Sequence, residues 1–289
     1  MIEPKPIGWI GVGKMGFPIC VRYKQAGHQV TALARSSAAQ AKLTIAGVIA
    51  VATVKEVAEH SDIVFTSLSD DAALRQVASE LSATMSKGST FVDISTISPT
   101  VSAEIADEFK KKDIRYLRSP VSGSTAMAES GTLTAVVSGP RQSFDDLTPL
   151  LAVFARKTFH VGEGEEARVM KLVLNSIVAA TAALLGEALA FGAEGGLDNA
   201  TMLSVINQSA VASPLIGYKT DMIVKGAYSA AASLAMLNKD LELLLAASEN
   251  PLPLNAHIHK IYQNSITQGL GEEDFFVLVR EARSFGGQI

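Results

Sequence analysis

The sequence predicts an α/β fold, a doubly wound parallel sheet followed by an all-helical domain. Up to Gly162, short apolar runs alternate with helical patterns, the arrangement of a parallel sheet covered on both faces. Beyond Gly162 the strand-like runs stop and only helical patterns follow. The chain has 289 residues, more than the roughly 100–200 of one ordinary domain. The expected division is therefore 1–162 and 163–289.

The elements follow in order. Ile7-Gly8-Trp9-Ile10 is a short apolar strand ending at Gly11, and a helix then runs through Ala26 with Gly27 as its stop. Gln29–Leu33, Ile63–Ser67, Phe91–Ile94 and Ile114–Leu117 read as later strands, with polar turns and helical patterns such as Pro99–Lys112 between them. Leu133–Ser138, bounded by Gly131 and Gly139, and Lys157–Val161 complete the sheet. Arg168–Gly195 is one long helical pattern, apolar nearly all round, which predicts a helix buried in the protein or shared between subunits. Helices are expected at Ala200–Gln208, Leu215–Val224, Ala231–Ser248, Leu254–Gln268 and Glu273–Arg283. Asn250-Pro251-Leu252-Pro253 interrupts the helical pattern between the third and fourth of these.

Composition narrows the function. With 48% hydrophobic and 19% charged residues the chain is no disordered tail. A net charge of −4 argues against a general nucleic-acid or anionic-membrane binder. One cysteine, Cys20, excludes an internal disulfide framework and a cysteine-built metal site. His257 and His259 are two residues apart and do not face one another on a helix, and there is no His-Glu-x-x-His, so no metal is expected. Met1-Ile2-Glu3-Pro4-Lys5-Pro6 has no basic region leading into an apolar stretch, and the most apolar run, Leu172–Ala193, contains Asn175 and Glu187. A cytoplasmic protein with no membrane partner is the expectation.

Gly11-Val12-Gly13-Lys14-Met15-Gly16 follows the first strand and opens the first helix, the context in which G-x-G-x-x-G marks a dinucleotide site. Gly11 permits the tight turn, Gly13 lets the backbone approach a pyrophosphate, and Gly16 lets helix and strand pack closely. The helix N-terminus supplies free N–H groups and the positive end of its dipole. A free ribose 2′-hydroxyl usually meets an acid about 20 residues beyond the glycines. Here the second strand ends in Ala32-Leu33-Ala34-Arg35-Ser36-Ser37, with no acid. Arg35 with the hydroxyls of Ser36 and Ser37 suits a 2′-phosphate, so NADP is expected over NAD. The other reading of Arg35 is a solvated surface side chain.

The glycine loop continues into Phe17-Pro18-Ile19, and three further motifs follow it along nearly the whole chain. They are Ser119-Pro120-Val121-Ser122-Gly123, Lys171-Leu172-Val173-Leu174-Asn175 and Lys239-Asp240-Leu241. On these residues the chain resembles the β-hydroxyacid dehydrogenase family, which includes 3-hydroxyisobutyrate dehydrogenases and glyoxylate/succinic semialdehyde reductases. The resemblance implies a Rossmann-type domain, a helical domain and an active site between them. It implies NAD(P)-dependent interconversion of a short β- or γ-hydroxy acid and its oxo acid or semialdehyde. It also implies that Lys171 and Asn175 are catalytic and that Ser122, Gly123, Lys239 and Asp240 bind substrate. Gly11, Gly13, Lys14, Met15 and Gly16, with Arg35 and Ser36, would hold the cofactor. Leu68, Ser69, Ser95 and Thr96 would lie along its ribose and nicotinamide.

The residues read in the same direction. Lys171 and Asn175, four apart, share one side of a helix in an apolar stretch where an unpaired ammonium is costly. Hydride transfer requires a proton to move at the substrate oxygen, and Lys171 is the candidate donor and acceptor. Asn175 offers both a hydrogen-bond donor and an acceptor. Ser122 and the backbone at Gly123 suit a carboxylate. Lys239 is a second cation for that carboxylate, with Asp240 to hold it; a solvated surface pair is the alternative.

Five positions depart from the family pattern. Arg118-Ser119 stands where Asp-Ala is usual, and Ser124 replaces a second glycine. Glu165 and Ala167 replace two glycines ahead of Lys171. Glu165 would repel an anion if it points inward, and Arg118 either binds a second acidic group or faces solvent. Two rivals follow: an imine reductase of the same architecture, against which Lys171 argues, and a non-catalytic NADP-binding protein, which Glu165 keeps open. The expected partners are a small anionic substrate and, from the long apolar helix, further copies of the chain in a homodimer or homotetramer. If Arg35 reads a 2′-phosphate, kcat/KM will be higher with NADPH than with NADH; a clear preference for NADH overturns the assignment.

Overall fold

The computed structural model describes residues 4–282. The first three residues of the opening segment, and Arg283 at the end of the last expected helix, lie outside them. The chain divides into two compact units, Met1–Lys171 and Leu172–Ile289.

The first unit begins β1 (Pro6–Ile10), α1 (Gly16–Gln25), β2 (Gln29–Leu33), α2 (Ser37–Ile45), β3 (Ile49–Val51), α3 (Val54–Glu59) and β4 (Ile63–Thr66). It continues α4 (Asp71–Thr84), β5 (Thr90–Asp93), α5 (Pro99–Lys111), β6 (Arg115–Arg118), β7 (Val121–Ser122) and α6 (Thr125–Ser130). Then come β8 (Leu133–Ser138), α7 (Arg141–Leu151), β9 (Ala155–Gly162) and the start of the long helix α8 (Glu166–Glu194). The strand order is β3-β2-β1-β4-β5-β6-β8-β7, with β9 on β8. The order reverses at β1, which pairs with β2 on one side and β4 on the other. Such a reversal opens a crevice at the carboxyl ends of the strands.

The period-2 alternation of side chains builds a core on each face of the sheet. Ile7, Trp9, Ile63, Phe65, Val92 and Leu117 pack with α1, α6 and α7 through Tyr23, Ala128 and Leu147. Ile10, Val64, Phe91 and Tyr116 pack the other way, with α3, α4 and α5 through Val57, Leu74 and Phe109. Trp9 stacks on Phe65 at 5.3 Å between centroids, and the buried Tyr23 hydroxyl donates to Leu150 O at 3.1 Å. Cys20 is fully buried here, and burial pushes its thiol pKa up. Helix starts carry their caps: Ser36 for α2, a Thr53–Glu56 capping box for α3, Asp70 for α4 and Ser98 before Pro99 for α5.

Several features differ from expectation. The sheet is not parallel throughout: β8 runs antiparallel to β6 and β7. The segment after β6 turns back within the six-residue α6 instead of making a full crossover, so Val121 and Ser122 pair with Ala135 and Thr134. The three-residue edge strand β3 is absent from the expected elements, being too short and too exposed to show alternation. The long helix is not buried all round. A third of its most apolar window is buried within the chain, and Ile177, Leu184 and Phe191 are exposed. It is the one helix among the described residues long and apolar enough to cross a membrane by length and composition.

The second unit holds the rest of α8, then α9 (Asn199–Ile206), α10 (Pro214–Lys225), α11 (Leu234–Ala247) and α12 (Pro253–Ser265). The expected helix to Gln268 ends at Ser265 and passes into a π turn, Ile266–Leu270, in which Gly269 has φ +88°. The last expected helix is a 3-10 turn, Phe275–Val277, and a short α13 (Leu278–Glu281). Asp274 sets that start by accepting from Phe276 N at 3.1 Å. Its other oxygen takes Lys219 Nζ at 2.5 Å, and both side chains are almost wholly buried, with Lys219 Nζ 5.0 Å from the Phe275 ring. Tyr262 lies in the same core, and burial raises its hydroxyl pKa. Removing one partner of a buried ion pair strands the other charge, at a cost of about 3–5 kcal/mol. Asp274→Ala is therefore expected to lower the urea midpoint by that equivalent at an unchanged m-value, and a loss below 1 kcal/mol would show the pair to be dispensable.

Candidate active site

The glycine loop leaves β1 at the reversal point of the sheet. Gly11 has φ +99°, and a Cβ there would meet Ser67 O at 2.1 Å. A Cβ on Gly16 would meet Gly11 O at 2.0 Å and Trp9 Nε1 at 2.5 Å. Around Gly13 a Cβ would meet nothing within 4 Å. Gly11 and Gly16 are thus demanded by the fold, whereas Gly13 faces open space that the fold does not need. Helix α1 has no side-chain cap and no acid in its first turn. An open glycine beside uncapped N–H groups fits a pyrophosphate, so the residues present suit a dinucleotide.

At the end of β2, Arg35 and Ser36 are exposed, and Arg35 makes no ion pair among the described residues. The Ser36 hydroxyl accepts from Ala39 N at 3.2 Å as the α2 cap. Lys42 Nζ stands 3.8 Å from the Phe17 ring centroid, adding a cation near the first turn of α1. At the ends of β4 and β5, Leu68 N donates to Ser95 Oγ at 2.8 Å, and Ser95 Oγ donates to Asp93 Oδ1 at 2.5 Å. The Ser95 hydroxyl is therefore engaged in joining the two strand ends. Ser69 Oγ donates to Asp70 Oδ2 at 2.6 Å, and Thr96 is half-buried beside Ser95. Lys14 is exposed and Met15 half-buried at the mouth of the loop.

Ser122 is half-buried in β7. Gly123, at φ +137°, follows it, and a Cβ there would meet Leu133 Cδ2 at 2.7 Å. Ser124 caps α6, which accounts for its place after Gly123. Lys171 and Asn175 lie one turn apart on α8, both half-buried. In the helical unit, Asn175 Nδ2 donates to Asp240 Oδ2 at 2.5 Å, and Lys239 Nζ is 2.9 Å from Asp240 Oδ1. Two motifs 65 residues apart thus converge on one carboxylate, and the Lys239–Asp240 pair is no solvated surface pair: Asp240 is buried.

Two of the departures from the family pattern meet each other. Arg118 Nη2 pairs with Glu165 Oε1, and the guanidinium lies 4.5 Å from the Tyr116 ring centroid. Glu165 spends its charge on Arg118, and Arg118 is neither solvated nor free for a second acid. The sequence did not single out Arg168, which is almost fully buried. Its guanidinium donates to Asp93 Oδ2 at 2.5 Å, Tyr116 OH at 2.7 Å, Ser95 O at 2.7 Å and Ser102 Oγ at 3.2 Å. Burial works against its charge, but Tyr116 and Asp93 outweigh it and raise its pKa.

Comparison with known proteins identifies the family. The family model for the NAD-binding domain of 6-phosphogluconate dehydrogenase matches residues 6–162. The model described as NAD-binding of NADP-dependent 3-hydroxyisobutyrate dehydrogenase matches residues 165–282. The 2-(hydroxymethyl)glutarate dehydrogenase of Eubacterium barkeri is 32% identical over 281 residues, 95% of this chain and 93% of that one. The chain belongs to the β-hydroxyacid dehydrogenase family. Within it, the solved 3-hydroxyisobutyrate dehydrogenase of Mycobacterium tuberculosis, determined with L-serine, shares the fold at a TM-score of 0.88 and 24% identity, over 97% of this chain and all of that one. A structure titled Psf3 in complex with NADP+ and 2-OPP matches at 0.87 and 26%, over 95% and 99%.

The glycine geometry separates folding from binding. Gly13→Ala is expected to leave the apo Tm unchanged or slightly raised, because such a change at an unstrained site contributes about 0.4–1 kcal/mol. The same variant should lose dinucleotide affinity in a fluorescence titration. Gly16→Ala should lower the Tm outright, overpacking costing about 1–3 kcal/mol. Equal affinities for wild type and Gly13→Ala would remove Gly13 from the site.

Proposed function

We propose that this protein is an NADP-dependent oxidoreductase that interconverts a short β- or γ-hydroxy acid and its oxo acid or semialdehyde, with Lys171 as proton donor and acceptor. The observation that carries the reading is the convergence of Asn175 and Lys239 on the buried Asp240, Asn175 following Lys171 by four residues along α8. An amide held by its nitrogen presents its oxygen in a fixed direction, and an ammonium held by a neighbour is a fixed cation for an anionic substrate.

The cofactor, when bound, supplies or takes the hydride at the substrate carbon. In reduction, Lys171 gives a proton from Nζ to the carbonyl oxygen as the C–H bond forms, and solvent returns a proton to the amine; oxidation runs the same transfers in reverse. Asn175 orients the reacting oxygen or Lys171. Ser122 and the backbone at Gly123 suit a substrate carboxylate, and Lys239 is a second candidate cation for an anionic substrate. Arg35 and Lys42 support the NADP reading, since the end of β2 offers cations and no acid.

The same reading takes the partner to be a second copy of the chain in a cytoplasmic homodimer or homotetramer. Met170, Ile177, Leu184 and Phe191 are exposed at seven-residue spacing on α8, a stripe that an identical helix complements. Neither a membrane nor a nucleic acid is part of it.

Lys171→Ala is expected to lower kcat by about 10²–10⁴, assayed by NADPH oxidation with glyoxylate and succinic, methylmalonate and tartronate semialdehydes. Turnover confined to a cyclic imine in the same panel would favour an imine reductase, and tight NADPH binding without turnover a non-catalytic protein. Light scattering should report at least a dimer for wild type and a smaller species for Leu184→Glu; a monomeric wild type refutes the assembly.

A further inference from the structure

Four charged side chains meet where the start of α8 joins the ends of two strands. Asp93 and Arg118 are register partners at the carboxyl ends of β5 and β6. Glu165 and Arg168 stand three residues apart at the head of α8, where Glu165 O accepts from Val169 N at 3.1 Å. The pairs are of opposite polarity: strand Asp93 binds helix Arg168, and strand Arg118 binds helix Glu165. Tyr116 joins them, its hydroxyl on Arg168 and its ring under Arg118. The preceding turn is held as well, by Ser138 Oγ donating to Gly164 O at 2.7 Å and accepting from Ala167 N at 3.2 Å.

We propose that this quartet is a positioning device for Lys171, which follows Arg168 by three residues and is its neighbour on the helix surface. The inference rests on Lys171 being the proton donor and acceptor. Apolar contacts alone would let the head of a helix turn or slide by a fraction of a residue. Charges of alternating sign on both the strands and the helix allow one register, because a rotation that exchanges partners sets Glu165 against Asp93 and Arg168 against Arg118. Buried ion pairs are poor sources of net stability, and fixing register is their best-attested use. Arg118 Nε and Glu165 Oε2 are buried without further hydrogen-bond partners, so each of these two side chains relies on the other. The quartet residues are positioning residues and act through Lys171.

The test uses the full chain. Glu165→Gln, Arg118→Gln and the double variant would be compared with wild type and Lys171→Ala for kcat, KM, NADPH affinity, Tm and the solvent deuterium isotope effect on kcat. Misplacing a reacting group by about 1 Å can cost on the order of 100-fold. Each single variant is expected to lose on the order of 10- to 100-fold in kcat, with NADPH affinity within twofold of wild type and a larger solvent isotope effect, as proton transfer becomes slower. The double variant should lose no more than either single one. Arg168→Lys should retain more activity than Arg168→Met. If Arg168→Met fails to fold, the Glu165 and Arg118 variants carry the test. Wild-type kcat and isotope effect in Glu165→Gln, with Lys171→Ala inactive, overturn the positioning role alone. A loss of kcat that follows Tm with no change in isotope effect also overturns it. Wild-type kcat in Lys171→Ala overturns the functional reading and this inference with it.

Discussion

A guanidinium with almost no exposure to water governs the first unit. Arg168 is costly to bury, and the structure offsets that cost with four protein acceptors drawn from β5, α5, β6 and the loop after β5. Each of those acceptors is itself tied down. Asp93 receives Thr66 Oγ1 and Ser95 Oγ, both at 2.5 Å, and Ser95 Oγ in turn accepts from Leu68 N. The ends of β4 and β5 and the head of α8 thus form one hydrogen-bonded assembly. Its members include Leu68 and Ser95, two of the residues that the family resemblance would place along the cofactor. Removing the guanidinium would leave Asp93 buried, charged and short of its only cationic partner in that assembly. The consequence would reach the ends of β4 and β5 as well as the head of α8.

The helical unit uses a similar economy at a different place. Asp240 serves Asn175 and Lys239 together, while Asp274 serves Lys219 and the start of a 3-10 turn. In both cases one buried carboxylate joins separate segments, which gives the packing a register that Leu and Ala side chains alone would not specify. The difference lies in exposure. Lys219 is sealed among aromatic rings, whereas Lys239 remains partly open. The first pair is therefore sealed from water, and the second is not.

How much of this was legible depended on the range of the interaction. The glycine loop was readable because its constraints are local: Gly11 needs its positive φ, and Gly16 touches Gly11 and Trp9 within the same few residues. Strands Gln29–Leu33 and Leu133–Ser138 matched their predicted limits, because turn residues bound a distinct run. The antiparallel course of β8 was not readable, since spacing alone does not say whether a 14-residue connection crosses over or folds back. Glu165 and Arg118 were each legible as anomalies. Their solution was not, because the partner of each lies 47 residues away and no local pattern joins them. Arg168 gave no signal at all: an arginine in the first turn of a helix ordinarily lies in water, and its partner Asp93 is 75 residues distant.

The long helix shows why its apolar composition misled. With 3.6 residues per turn, Arg168, Lys171, Leu172, Asn175, Ala179, Ala182 and Leu189 fall on one side of α8, and Met170, Val173, Ile177, Leu184 and Phe191 on the other. The first side includes every described polar group of the candidate chemistry on this helix, yet it is the buried or half-buried side. The second is apolar and exposed. This inverts the usual surface helix, in which the polar face meets water. Polar residues can lie inward here because each has work there: Arg168 holds strand ends, and Asn175 holds Asp240. The outward apolar side is then costly for an isolated chain and reasonable for one that covers it. The helix reads as apolar all round because its two faces answer to different demands, an ordered polar interior on one and an exposed apolar surface, the one assigned to the proposed assembly, on the other.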